Sequence, residues 1–338
     1  MNAPARKFEA KPAVREQVPL LIGLIGPSGS GKTKSALRLA TGIQAVTGGE
    51  IDVIDTEAKR ALHYADEFKF NHVQFDAPFG SLDYLAAIQQ SVARGAKVVV
   101  IDSMSHEHES TGGLIDLHEA ELDRLAGSDY GKRERVKMLA WQKPKANRRK
   151  LINGILQLNC NFIFCFRAKE TVKPTKINGK TEIVPQGFMP IAGDEFLFEQ
   201  TANILLMPKS GGVPTWQSDN VGEKLMMKLP NYLAHAFSEK APLDEQTGKL
   251  LATWARGDKA AAEPKSKTPA TEPVPTADEY VARWDGLLDI VTSAKQLRDT
   301  WQEQAELREK IQWPDDGDKM FNELLARVKK QIKTLDGK

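Results

Sequence analysis

Gly26-Pro27-Ser28-Gly29-Ser30-Gly31-Lys32-Thr33 is the stretch on which the fold of this chain turns. It follows an apolar run, Leu20 to Ile25, and opens an amphipathic one, Lys32 to Val46, so a strand passes into a helix through a glycine-rich loop. Gly29, Ser30 and Gly31 let backbone N–H groups converge at a helix N-terminus, where they attract phosphate oxygens. In this reading Gly26 to Thr33, with Lys34 behind them, cradle a nucleoside triphosphate. Lys32 bridges its β- and γ-phosphates, and the Thr33 hydroxyl ligates Mg²⁺.

Such a cradle needs a carboxylate at the end of a neighbouring strand to organise the metal. Lys97-Val98-Val99-Val100-Ile101-Asp102-Ser103 supplies one, because a continuous apolar run reads as a strand buried on both faces and Asp102 closes it. Phosphoryl transfer to water also needs a group that positions the nucleophile. Two places compete: Glu57, after the strand Ile51-Asp52-Val53-Ile54-Asp55, and Glu107 or Glu109 in Ser105-His106-Glu107-His108-Glu109. Glu57 is preferred. His106 reads as a hydrogen-bonding group near the phosphates, since His106 and His108 lack a third ligand at a zinc-site spacing.

The chain of 338 residues is about two domains long. Hydrophobic residues make up 41% and charged residues 27%, which permits a true core and excludes a fibrous or wholly disordered chain. No apolar run approaches the roughly 18 residues of a membrane span, and no signal sequence opens the chain, so a cytoplasmic setting is expected. Cys160 and Cys165 flank one apolar strand at an odd spacing, which puts them on opposite faces and argues against a mutual disulfide. Expected strands are Leu20 to Ile25, Ile51 to Ile54, His72 to Phe75, Lys97 to Ile101, Asn161 to Phe166 and Asn203 to Met207. Expected helices are Lys32 to Val46, Ser81 to Arg94, Leu114 to Leu125 and Pro144 to Gln157. The alternation predicts an α/β domain with a mainly parallel sheet over residues 19–256. Before it, residues 1–18 read as a loose leader. After it, residues 257–276 have a Pro- and Ala-rich linker composition. Residues 277–338 read as a small helical domain whose core includes Trp284, Trp301 and Trp313.

The order Asp55-Thr56-Glu57, a helix from Leu82 to Arg94, then Val98 to Ser103 resembles the RecA recombinase core. The chain is more closely similar to phage-encoded, RecA-like ATP-binding proteins that include single-strand-annealing recombinases. Their Asp-Ser-x-Ser-His stretch matches Asp102 to His106, their Gly-Gly-Leu turn matches Gly112 to Leu114, and their Arg-x-Lys matches Arg167-Ala168-Lys169. The segment Gly187 to Pro190 through Glu195-Phe196 also looks like theirs. The resemblance implies a RecA-like P-loop NTPase fold with a mainly parallel central sheet flanked by helices, and with ATP and Mg²⁺ as ligands. It implies that Glu57 activates water and that Asp102 is the metal-organising aspartate. Where RecA ends its fifth strand with an amide that senses the γ-phosphate, this chain has Arg167, so Arg167 and Lys169 become candidate sensor or finger residues.

Net charge is only +2, from 47 basic and 45 acidic residues, so any affinity for nucleic acid must be local. Residues 131–150 carry nine basic residues and one acid: Lys132, Arg133, Arg135, Lys137, Lys143, Lys145, Arg148, Arg149 and Lys150 against Glu134. With Trp141 among them, they form a candidate single-stranded DNA surface. A second is the expected hairpin around Asn178-Gly179, bearing Lys173, Lys176 and Lys180. The leading expectation is an oligomeric, Mg²⁺-dependent ATPase acting on DNA in phage recombination or annealing. Competing readings are a small-molecule phosphotransferase, with Arg133 and Arg135 in a lid, and an adaptor that recruits partners through residues 277–338.

Overall fold

The computed structural model describes residues 10, 12–13, 15–177, 180–238, 240–257, 275–291, 293–314 and 317–336. The chain divides into two units, Met1–Ala260 and Ala261–Lys338.

The larger unit is built on a seven-stranded sheet. Its strands are β1 (Leu21–Gly26), β2 (Glu50–Asp55), β3 (Asn71–Gln74), β4 (Ala96–Asp102), β5 (Asn161–Ile177), β6 (Lys180–Pro190) and β7 (Ala202–Leu205). The order is β3-β2-β4-β5-β1-β7, all parallel, with β6 antiparallel to β5 alone. The helices are α1 (Lys32–Thr47), α2 (Ser81–Ala93), α3 (His106–Glu109), α4 (Leu114–Ala126), α5 (Tyr130–Ala140), α6 (Gln142–Leu156), α7 (Asp194–Phe198), α8 (Val221–Met226) and α9 (Glu245–Arg256).

Period-two alternation divides the core between the two faces of the sheet. Ile22, Leu24, Val98, Val100, Ile163 and Cys165 pack on the side of α1 and α9, whereas Leu21, Ile25, Val99, Ile101, Phe162, Phe164 and Phe166 pack on the side of α2 and α6. Cys160 and Cys165 are free thiols on opposite sides, as the odd spacing requires. The register sets Asp55 beside Asp102, Asp102 beside Cys165, and Gly26 beside Arg167. Four strands therefore deliver their carboxyl ends to one edge, where open α/β sheets form their ligand crevice.

Three features depart from the sequence reading. The fifth strand does not stop at Phe166. It runs on unbroken to Ile177 and pairs antiparallel with β6, which is the hairpin pairing expected on either side of Asn178-Gly179, now seen as a continuation of the parallel strand; those two residues lie outside the described ones. Helix α5 occupies part of the basic segment for which the pattern offered no element, and it starts because the Asp129 side chain accepts from Lys132 N at 2.9 Å. The end of the supposed loose leader is held down: Val18 N donates to Ala255 O at 2.9 Å, and the Arg15 guanidinium lies 4.9 Å from the centroid of the Trp254 ring. Most of the expected linker, 258–274, lies outside the described residues.

The smaller unit contains α10 (Ala277–Ile290), α11 (Ala294–Glu303), α12 (Ala305–Lys310) and α13 (Gly317–Asp336). A capping box between Thr276 and Glu279 starts α10. Tyr280, Trp284, Leu297, Leu324 and Val328 are buried, with Trp301 and Trp313 packed against them. The tryptophans thus form the core of this unit. No helix among the described residues is long and apolar enough to cross a membrane.

Helices α1 and α9 approach so closely that a Cβ on Gly42 would run into the Glu245 carbonyl, and one on Gly248 into the Leu39 carbonyl. Gly42→Ala is expected to destabilise the larger unit by about 1–3 kcal/mol through overpacking, read as a lower urea midpoint with an unchanged m-value.

Candidate active site

The loop between β1 and α1 depends on two glycines with positive φ, 78° at Gly29 and 95° at Gly31. A Cβ on Gly31 would collide with the backbone of Gly212, whose N–H donates to Ser30 O at 3.1 Å, so residues 211–212 pin the loop from outside. The Ser30 hydroxyl is buried without a hydrogen-bond partner among the described residues. Lys32 Nζ donates to the carbonyls of Gly26 and Pro27, each at 2.8 Å. Burial lowers the Lys32 pKa from its ordinary value, because its ammonium has been taken from water and its hydrogen-bond acceptors are neutral. Thr33 Oγ1 donates to Asp102 Oδ2 at 2.6 Å. Burial pushes the Asp102 carboxyl up, and the Thr33 hydrogen bond opposes the shift.

These features fit a polyphosphate with a divalent cation. The helix opens with first-turn amides that have no intrahelical partner, a buried ammonium makes no ion pair among the described residues, and a hydroxyl and a carboxylate face each other. Lys32 and the amides of the loop would hold the phosphates, and Thr33 and Asp102 would hold Mg²⁺. The ion would supply charge neutralisation there.

Glu57 projects into the same cleft, of about 590 Å³, which Ser28, Lys32, Thr33 and Asp102 also line. Its place is set by Asp55: Oδ1 accepts from Glu57 N at 2.7 Å, while Oδ2 accepts from Ala61 N at 3.0 Å and contacts His72 Nε2 at 3.1 Å. Arg167 NH2 lies 2.6 Å from Glu57 Oε1, and Arg60 NH1 lies 2.9 Å from Oε2. His106 Nδ1 contacts Thr56 Oγ1 at 2.8 Å, and its Nε2 is 3.9 Å from Glu57. Burial and then Arg167 lower the His106 pKa, which favours the neutral ring. Lys169 does not line the cleft but lies 3.8 Å from Glu109, which does.

The competing glutamate, Glu107, faces elsewhere. It is buried and takes Arg148 through three hydrogen bonds of 2.6 to 3.3 Å, with Ser81 Oγ donating at 2.6 Å. This overturns the expectation for Arg148, which is interior and also contacts His108 Nδ1 at 2.8 Å. The reason was legible: Pro144, Arg148, Leu151, Ile152 and Ile155 repeat at helical spacing and form the buried stripe of α6. His106 and His108 accordingly turn to different partners. Of the other basic candidates, Arg133 pairs with Glu119 and Asp123, and Lys143 pairs with Glu121. Lys132, Arg135, Lys145 and Arg149 are exposed, with no ion pair among the described residues. Lys173 and Lys176 are exposed on the β5–β6 ribbon. Trp141 stacks on His118 with ring centroids 3.9 Å apart, so one face of its indole is already covered.

A mainly parallel sheet flanked by helices, with a glycine-rich loop between β1 and α1, defines a P-loop NTPase fold. Residues 19–189 match the family described as AAA domain, just over half of the chain, and the chain belongs to that family, a class of nucleotide-binding ATPase domains. Comparison with the curated proteins returned no match. Sequence reasoning gave no role to Arg60, or to His63 and Tyr64, which also line the cleft. The one available signal was the spacing of Arg60, three residues after Glu57.

Two outcomes follow from these environments. Arg148→Ala is expected to cost about 3–5 kcal/mol in denaturant unfolding by leaving Glu107 buried and unpaired, whereas Arg149→Ala stays within about 0.5 kcal/mol. Because the folded pKa of Asp102 is raised above its unfolded value, its charged form opposes folding at neutral pH. That penalty is relieved as pH falls through the folded pKa towards the unfolded one. Asp102→Asn should therefore raise the melting temperature of the nucleotide-free protein at pH 7, narrow the gap at lower pH, and abolish stabilisation by Mg²⁺.

Proposed function

We propose that this protein is a Mg²⁺-dependent ATPase that acts on single-stranded DNA as a homo-oligomer, in phage homologous recombination or single-strand annealing. The observation that carries the hydrolytic part is that Lys32, the Thr33–Asp102 pair and Glu57 line one cleft. Lys32 binds the phosphates, Thr33 and Asp102 hold the metal, and Glu57 accepts a hydrogen bond from the attacking water and orients it. Adenine as the base rests on the resemblance to RecA-like proteins.

Two features support the DNA part. Lys132, Arg135, Lys145 and Arg149 are exposed cations without acidic partners among the described residues, unlike the usual mixed-sign helix surface. The ribbon that carries Lys173 and Lys176 continues the strand that holds Arg167 at the cleft, so β5 offers a direct connection between nucleotide and the second basic segment. Lys169 is proposed as a rim contact, and the helices of residues 277–338 as the attachment point for a protein partner.

The test is steady-state ATP hydrolysis with and without single-stranded DNA, at fixed moderate salt. DNA is expected to stimulate the wild type but not Lys32→Ala. Replacing Lys132, Arg135, Lys145 and Arg149 together by Ala should abolish stimulation while leaving nucleotide affinity intact, and reduce the salt slope of DNA binding by up to about 3. Hydrolysis indifferent to DNA, with no DNA retained by the nucleotide-bound protein, would overturn the DNA reading.

A further inference from the structure

Glu57 is held by cations on both sides. Arg167 reaches Oε1 through Nε at 2.7 Å and NH2 at 2.6 Å, and Arg60 reaches Oε2 through NH1 at 2.9 Å. The Glu57 side chain is 9% exposed, against 63% for Arg60 and 41% for Arg167. The carboxylate is thus sealed in while both guanidiniums stay open to the cleft.

The turn that permits this is specialised. Ala58 and Lys59 both have positive φ, 55° and 68°, although neither is glycine. Consecutive left-handed residues with a Cβ are uncommon, and the conformation persists only where neighbours over-determine it. Here Asp55 does so by capping Glu57 N and Ala61 N, at the two ends of the turn. The result brings Arg60 back beside Glu57. Ordinary surface ion pairs need no such turn.

The charged side chains lining the cleft are Lys32, Arg60 and Arg167 against Glu57, Asp102 and Glu109. Asp102 is taken by Thr33, and Lys32 rests on carbonyls. The Glu57 carboxylate is therefore the anion on which Arg60 and Arg167 converge. A planar carboxylate between two guanidinium forks has the chemistry of a phosphoryl group in the same position.

We propose that Arg60 and Arg167 form a clamp for the terminal phosphate of a bound nucleoside triphosphate, with the Glu57 carboxylate occupying that clamp until the phosphate displaces it. This rests on the nucleotide reading above and adds Arg60 to the binding residues. Displacement is an exchange of ion pairs with no bond made or broken. The triphosphate takes both guanidiniums, and Glu57 is released to face water only when a third phosphate is present. A diphosphate reaches Lys32 but leaves the clamp closed.

The clamp makes an unusual demand: removing the competing carboxylate should strengthen triphosphate binding. The experiment is isothermal titration of the full-length protein with a non-hydrolysable ATP analogue and, separately, with ADP, both with Mg²⁺. Glu57→Gln is expected to bind the analogue at least about threefold more tightly, with ADP affinity unchanged. Arg60→Gln should bind the analogue about tenfold or more weakly, the scale of a lost charge-assisted hydrogen bond, again with ADP unchanged. Arg60→Lys should recover part of that loss. Since Arg60 is largely exposed, its replacement does not threaten folding. Variants that shift analogue and ADP affinities in parallel, or an analogue affinity unchanged in both Glu57→Gln and Arg60→Gln, would overturn the clamp while leaving the nucleotide site standing. Failure of the wild type to bind either nucleotide would overturn the nucleotide reading and the clamp together.

Discussion

The hydrogen bond from Thr33 Oγ1 to Asp102 Oδ2 joins the first turn of α1 to the end of β4, two elements 69 residues apart in the chain. It is possible only because β4 is buried on both faces and leaves one direction for its terminal carboxylate, along the strand into the crevice. The same parallel register sets Asp55 beside Asp102 and Asp102 beside Cys165, two residues before Arg167, which itself lies beside Gly26. The sheet thus places Asp55, Asp102 and Arg167, while the loop before α1 places Lys32 and the turn after β2 places Glu57 and Arg60.

Burial has opposite consequences for the two charged systems of the larger unit. Around Glu107 and Arg148 it is matched by short hydrogen bonds on all sides, giving a closed network that ties α3 to α2 and α6. Around Lys32 and Asp102 it is not matched. The ammonium rests on carbonyls and the carboxyl on one hydroxyl, and their pKa values move towards the neutral forms. A site held in this condition favours the arrival of charge that compensates both groups, which is what a metal–polyphosphate brings. The Arg60–Glu57–Arg167 cluster lies between these extremes, complete within itself yet open to exchange.

Much of the site was legible before folding. The loop from Gly26 to Thr33, the strand ending at Asp102 and the position of Glu57 after a second strand all follow from local spacing, because glycine placement and apolar runs encode backbone geometry directly. The basic segment 131–150 was less so. Its total charge is a property of composition, but its partition between buried Arg148, paired Arg133 and Lys143, and open Lys132, Arg135, Lys145 and Arg149 depends on which way each helix turns. For Arg148 the helical period held the answer, and the charge count concealed it.

The sequence by itself determined the α/β class, the glycine-rich loop between β1 and α1, the strand that closes on Asp102 and the division into a larger and a smaller unit, since each is written in contiguous residues and short periods. Only the tertiary structure decided that Glu107 turns away to Arg148 while Glu57 and Glu109 line the cleft, that Arg60 and Arg167 converge on Glu57, and that the expected hairpin is an unbroken continuation of β5. Those outcomes depend on strand register and on the path of two left-handed residues. Such long-range geometry arises when β2, β4 and β5 pair, and no local stretch of the chain carries it.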